Sequence, residues 1–123
     1  MTDDDATRPA FADDDYCYLT TTGRRTGAPH RIEIWFAASG TTLYLLAGGG
    51  RSSDWVANLI ADAAVTVEVG DEVRPARARV VTDSAEDERA RSLVAGKYQE
   101  RTGDDLSSWR ARALPVALDL GAN

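Results

Sequence analysis

The chain has 123 residues, 43% of them hydrophobic, which suits a single domain with its own core. Its one cysteine, Cys17, excludes an internal disulfide, and with a single histidine, His30, it cannot build a zinc site. Asp3, Asp4, Asp5, Asp13, Asp14 and Asp15 against Arg8 put most of the net charge of −6 in the first fifteen residues, and the near-neutral remainder lacks the basic face of a nucleic-acid binder. Residues 1–15 therefore read as an acidic, solvated, mobile leader, or else as a short helix or flap at the site, and residues 16–123 as the folded domain. No run approaches the roughly 18 apolar residues of a membrane span. The N-terminus is acidic, unlike a signal peptide, so a soluble cytoplasmic protein is expected.

Tyr16 to Thr22 alternates and is rich in aromatic and β-branched residues, which predicts a strand. Pro29 to Ala37 sets Ile32, Ile34 and Phe36 on one face and Arg31, Glu33 and Trp35 on the other, the period of a half-buried strand. After the Ser39-Gly40 turn, Thr42 to Ala47 is a third strand, and short connections favour pairing the three as an antiparallel meander. Gly48 to Ser53 is a glycine-rich loop. Asp54 to Ala61, with Trp55, Leu59 and Ile60 at helical spacing, is a short helix with Ser53 or Ser52 as its N-cap. Ala64 to Val69 and Glu72 to Val81 form a hairpin through Gly70-Asp71. A second helix runs from Ser84 to about Tyr98, opened by Asp83, with Glu86 and Asp87 in the first turn where the helix dipole favours acids. Leu106 to Ala113 is a third short helix, and Leu114 to Leu120 a last strand with Pro115 near its start. Six short strands and few helices predict a mainly β fold, a small antiparallel barrel with helices attached, and not a doubly wound sheet.

Two loops carry the chemistry. Leu19 to Gly27 reads Leu-Thr-Thr-Thr-Gly-Arg-Arg-Thr-Gly, so Arg24 and Arg25 stand in a turn between Gly23 and Gly27. Guanidinium forks beside a permissive backbone suit phosphate or carboxylate. Gly48-Gly49-Gly50-Arg51-Ser52-Ser53 leaves a strand and opens a helix, where freed N–H groups and the helix N-terminus favour an anion and Arg51 adds a charge. This loop lacks the Gly-Lys-Ser/Thr ending of a Walker motif and the spacing of a dinucleotide fingerprint. Trp35 is either a wall for a flat ring or the lining of a second small core. Trp55 reads as core, Asn58 as a cap or brace for the loop, and His30 as surface. Glu33 shares the face of Trp35 without an acid–base partner. Nucleophile constellations, metal clusters and carboxylate pairs are missing from the pattern. An anion grip and an aromatic wall without acid–base machinery describe a protein whose cofactor does the chemistry.

The Leu19–Pro29 stretch, Trp35-Phe36, the Gly48–Ser53 loop with Asp54-Trp-Val-Ala-Asn-Leu59, Val65–Val69 and the Trp109–Leu120 segment together are similar to the deazaflavin-dependent nitroreductase family of actinobacteria. The resemblance spans about residues 16–120. It implies a split β-barrel that binds the reduced deazaflavin coenzyme F420, whose phosphate and polyglutamate tail is anionic. Carried over by position, it puts Arg24, Arg25 and Thr26 on the phosphate and tail, and Glu33, Ile34 and Trp35 along the ring. Gly48, Gly49, Gly50 and Arg51 would wrap the cofactor, with Asn58 bracing them. The implied chemistry is hydride transfer to an electron-poor small molecule such as a quinone, enone or nitroaromatic, in a pocket to which Tyr98 and Trp109 contribute. The cofactor carries the chemistry, no metal is implied, and the protein is a monomer or homodimer. Two other readings of the same residues stand beside this one: an FMN- or haem-binding split barrel, and a non-enzymatic binder of an anionic small molecule or partner.

Overall fold

The structure, a computed structural model, describes residues 10–121. The strands are β1 (Cys17–Thr22), β2 (Pro29–Ile34), β3 (Ala37–Ser39), β4 (Thr42–Ala47), β5 (Ala64–Val69), β6 (Glu72–Val80) and β7 (Leu114–Leu120). The helices are α1 (Asp54–Ala61), α2 (Ser84–Thr102) and α3 (Ser107–Arg112), with short 3-10 turns at Ala10–Asp13 and Gly50–Ser52. The strands form one antiparallel sheet in the order β2-β1-β5-β6-β7-β4-β3. Its two edge strands, β2 and β3, are consecutive in the chain and separated only by Trp35 and Phe36. So short a link spans at most about 11 Å. The sheet must therefore curl until its edges nearly meet, which makes a barrel split along the seam where Trp35 and Phe36 stand.

Two strand expectations change as a result. Pro29 to Ala37 is two strands and not one, so the sheet has seven strands among the described residues instead of six. Thr42 to Ala47 does not join a meander with β1 and β2; β4 pairs with β7, as in Leu45 opposite Val116, and with β3. The cause is local. Phe36 turns fully inward while Trp35 packs outward against α2, so the ladder of β2 stops and the chain crosses the seam.

Strand alternation fills the barrel with Cys17, Leu19, Leu43, Leu45, Val65, Val67, Val116 and Leu118, joined by Phe36 from the seam and Leu59 from α1. The opposite faces of β4 and β7 carry Tyr44, Leu46 and Ala117, which α2 covers with Ala90, Val94 and Tyr98. Both faces of β4 are thus buried, and its run Leu43 to Ala47 is apolar throughout. Helix α2 starts where Asp83 accepts a hydrogen bond from the Glu86 N–H (2.9 Å) and ends at Gly103, whose φ of 74° suits glycine. It runs one turn past the expected end, to Thr102. Among the described residues no helix is long and apolar enough to cross a membrane.

The boundary of the folded body also moves. Phe11 is 5% exposed and belongs to the barrel core, and Gly70 (φ +59°) lets it lie against the β5–β6 turn. Residues 10–15 are therefore seated on the fold and not part of a free leader; residues 1–9 lie outside the described residues.

Glu86 ties three elements together. Its carboxylate accepts two hydrogen bonds from Arg79 (2.7 and 2.8 Å) and one from the Tyr44 hydroxyl (2.7 Å). The Arg79 guanidinium, and then the Tyr44 hydroxyl, hold its acid well below the usual range, at about 2. A depressed carboxylate adds stability above its ordinary value of 4.5 and loses it as pH falls toward 2. Arg79 is 42% exposed, so the contribution is discounted for solvent to about 1 kcal/mol. Glu86→Gln is expected to lower stability by that amount at neutral pH, with the gap from wild type closing between pH 4.5 and 2 in denaturant melts. A gap independent of pH would refute the assignment.

Candidate functional site

The Gly23–Gly27 turn is closed by its own backbone. The Gly23 N–H donates to the Ala28 carbonyl (2.7 Å) and the Gly27 N–H to the Gly23 carbonyl (2.8 Å), with Gly27 at φ +76°. A side chain at Gly23 would stand 2.7 Å from the His30 ring and 3.0 Å from the Ala28 carbonyl, so glycine is needed there for close approach. The Thr26 hydroxyl accepts from the Ala28 N–H (3.2 Å).

Helix α1 holds this turn in place. Asn58 is 2% exposed; its Oδ1 accepts from the Arg24 backbone N–H (3.2 Å) and from Arg24 Nη1 (2.8 Å). Its Nδ2 donates to the Thr21 hydroxyl (3.3 Å), which is itself buried. Arg24 Nη2 also pairs with Asp54 at 3.3 Å. Asn58 is thus a brace, but for the arginine turn. Arg24 lies along α1 with its fork engaged, whereas Arg25 and Arg51 are exposed and carry no ion pair or hydrogen bond among the described residues. Asp54 carried no site role in the sequence, where it marked a helix first turn and opened the Asp-Trp-Val-Ala-Asn-Leu stretch.

The second glycine loop leads into the same helix. Ser53 is the N-cap residue of α1, but its side chain makes no capping bond, and the Ser52 hydroxyl donates instead to the Gly49 carbonyl (2.7 Å). The first-turn N–H groups of α1 therefore have no side-chain acceptor, which leaves a partial positive charge beside Arg24 and Arg51. Gly50 needs its φ of +60°, and a Cβ at Gly49 would meet Ser53 Oγ at 2.4 Å. At the other end of the loop, a Cβ at Gly48 would stand 3.6 Å from Nε1 of Trp109.

Trp109 opens the aromatic part. Its ring meets Trp35 edge to face (centroids 5.7 Å, 86°), and Trp35 stacks flat on Tyr98 (4.2 Å, 2°). Tyr98 is 2% exposed, and burial pushes its hydroxyl up to about 12. That hydroxyl accepts from the Phe36 N–H (3.0 Å) and donates to the Asp15 carbonyl (2.6 Å). Trp35 is half-buried and lines the second core, as one of its two readings held.

The structure thus groups Trp35, Gly48, Tyr98 and Trp109 at one end of the Gly48–Ser53 loop, and Arg24, Asn58 and Asp54 at the other, with Arg51 exposed within the loop. Glu33 and Ile34 join neither group by their side chains. Ile34 packs on the barrel core, and Glu33 accepts from the Tyr18 hydroxyl (2.7 Å) on the outer face of the sheet. A cleft of about 480 Å³ opens elsewhere, lined by Asp13, Asp14, Asp15, Tyr16, Tyr18 and Glu68. Its carboxylates would repel an anion, so the arginine loops and not this cleft are the anion-binding candidate. Cys17 is fully buried, and burial raises its thiol to about 12, which rules it out as a nucleophile at neutral pH.

A curled antiparallel half-barrel whose edges approach at Trp35–Phe36 is a split-barrel fold. The family model described as F420H(2)-dependent quinone reductase matches residues 6–120. The chain therefore belongs to that family of F420H2-dependent reductases. Solved structures with the same fold include an F420-H2 dependent reductase, FDR-A, at TM-score 0.69 and 22% identity over 88% of this chain and 95% of that one. A protein of Bacteroides thetaiotaomicron described as a putative 5-nitroimidazole antibiotic resistance protein superposes at TM-score 0.71, with 15% identity over 99% of this chain and 82% of that one. HutZ, the heme storage protein of Vibrio cholerae, superposes at TM-score 0.68, with 16% identity over 92% and 87%.

Proposed function

We propose that the two glycine–arginine loops and the tryptophan wall hold one ligand, reduced F420, and that the protein passes hydride from it to a quinone or a related electron-poor small molecule. The observation that carries this reading is the Gly48–Ser53 loop. A single six-residue segment has an indole at one end and an arginine turn with an uncapped helix N-terminus at the other. A ligand with a flat ring and an anionic tail satisfies both ends; a simple anion or a simple aromatic satisfies one.

The residues fit that group. Arg25, Arg51, Thr26 and the first-turn N–H groups of α1 are the donors for phosphate and tail, with the backbone of Gly48, Gly49 and Gly50 free of side chains between them. Arg24 acts mainly by holding the turn on α1 through Asn58. Trp35 walls the ring, and Trp109 stands where an acceptor would lie against it. Tyr98 backs Trp35, and Glu33 and Ile34 take part as the backbone leading into Trp35. When bound, F420 supplies the hydride. The chain's own task is to orient the ring and exclude water, since no acid–base pair stands at the wall among the described residues.

The test is a side-by-side titration of the full chain with F420, FMN and haem, followed by oxidation of bound F420H2 with quinone, enone and nitroaromatic acceptors. Binding of F420 with quinone-dependent oxidation is expected. FMN copurifying with the protein while F420 gives no signal would overturn the proposal.

A further inference from the structure

We infer that the docked segment Ala10–Asp15 is a working part of this site: Lys97 and Tyr98 clamp it to the β2–β3 seam and thereby set the position of Trp35. The inference rests on Trp35 being the wall of the ring site.

Lys97 and Tyr98 are adjacent on α2, and each grips the segment and the seam at once. An ammonium has three N–H donors. Those of Lys97 reach the carbonyls of Ala12 (3.2 Å), Asp14 (2.7 Å) and Phe36 (2.9 Å). The Tyr98 hydroxyl takes the Phe36 N–H and gives its own proton to the Asp15 carbonyl. Phe36 is the residue at which the chain leaves one edge of the sheet for the other. Both polar groups of its peptide are thus held by α2. Arg101, one turn further along α2, pairs with Asp15 and Asp13, and Phe11 anchors the segment in the core.

Undocking the segment would remove two of the three acceptors of a half-buried ammonium that lies 3.9 Å above the Phe36 ring. It would also take the acceptor from the Tyr98 hydroxyl. The other acceptor in reach is the Phe36 carbonyl, at 3.1 Å. The O–H reaches it by rotating about its own bond, so the strain falls on the peptide next to Trp35: the Phe36 carbonyl must then serve both Lys97 and Tyr98. Docking and the setting of Trp35 are therefore one equilibrium, because the same donors serve both. Lys97, Tyr98 and Phe11 are positioning residues and touch no reacting atom.

Two full-length variants test this. Phe11→Ala loosens the segment from the core side, away from Trp35. Tyr98→Phe keeps the stacked ring and deletes only the hydroxyl link. Near-ultraviolet circular dichroism of the unliganded protein reads the Trp35–Tyr98–Trp109 packing, and fluorescence titration reads F420 affinity. Phe11→Ala should change the aromatic spectrum at unchanged far-ultraviolet signal and weaken F420 about tenfold, a typical coupling between linked sites. Tyr98→Phe should move both in the same direction, and the double variant should be no weaker than Phe11→Ala alone. Wild-type aromatic spectra and affinity in the single variants, or strictly additive losses in the double, would overturn the inference. Should Phe11→Ala fail to fold, Tyr98→Phe and Lys97→Met carry the same two readouts. If wild-type protein binds no F420, the function proposed above fails, and this inference with it. A spectrum that still responds would then leave only the clamp.

Discussion

Asn58→Leu is expected to cost about 3 kcal/mol of stability, roughly 10 °C in melting temperature, and to weaken F420 binding in the same variant. Asn58 is a polar side chain at 2% exposure that satisfies three groups: the Arg24 backbone N–H, the Arg24 fork and the buried Thr21 hydroxyl. Leucine has similar volume but no polar atoms. It leaves the Thr21 hydroxyl and the Arg24 N–H without partners, and each such orphan costs about 1–3 kcal/mol. The Gly23–Gly27 turn is then held on α1 only by Arg24 with Asp54, a pair with an 87% exposed carboxylate. Such exposed pairs contribute little. Asn58→Asp separates the two effects. It keeps an acceptor for Arg24 and so most of the stability, but adds a carboxylate near Asp54 and so lowers affinity for an anionic tail. Thermal melts and F420 titrations of both variants check this. A melting temperature for Asn58→Leu within about 2 °C of wild type would show that the brace is not needed for the fold.

The double variant Arg25→Ala/Arg51→Ala is expected to lose about 100-fold in F420 affinity at low salt, with stability changed by less than about 0.5 kcal/mol. Both arginines are exposed and make no intramolecular ion pair among the described residues, so the fold does not depend on them. Their remaining task is attraction of an anion, which salt screens. Affinity of the wild type should therefore fall steeply with ionic strength and that of the variant hardly at all. A deazaflavin lacking the polyglutamate tail should distinguish the two proteins far less. Equal affinities and equal salt dependence for wild type and variant would remove the anion grip from the proposal. Arg24→Ala should behave differently, lowering stability as well as affinity, because Arg24 is built into the turn's attachment to α1.

The fold alone does not choose the cofactor. A heme storage protein and an F420-H2 dependent reductase superpose on this chain almost equally well. What separates them here is the family match over residues 6–120.

Much of the architecture was legible in the residues. The period-two runs marked β1, β4, β5, β6 and β7 within a residue or two, and helical spacing placed α1 at its observed bounds. The two glycine–arginine loops were legible as turns, because glycine marks the chain reversals there. Trp35 carried two readings because alternation says which face a residue takes but not what covers it. Alternation also continued through Phe36, so the break between β2 and β3 had no sequence signal. The chain changes edge there because Phe36 finds the barrel core and Trp35 finds Tyr98 on a helix far along the chain, and no local pattern reports that.

The acidic N-terminal stretch shows the same division. Its composition pointed to solvent, and six aspartates in fifteen residues give no other local cue. Phe11 and the backbone carbonyls of Ala12, Asp14 and Asp15 decide otherwise for residues 10–15, because Lys97 and Tyr98 wait for them on a helix more than eighty residues away. By itself, then, the sequence determined most element types, the mainly β class and the family, all of which rest on local spacing and residue chemistry. Only the tertiary structure decided that the sheet closes at Trp35–Phe36, that Asn58 of α1 braces the arginine turn, and that Arg24 is bound to α1 while Arg25 and Arg51 are exposed. Those depend on which distant donors and acceptors meet once the sheet curls, and burial leaves none of them free to do without a partner.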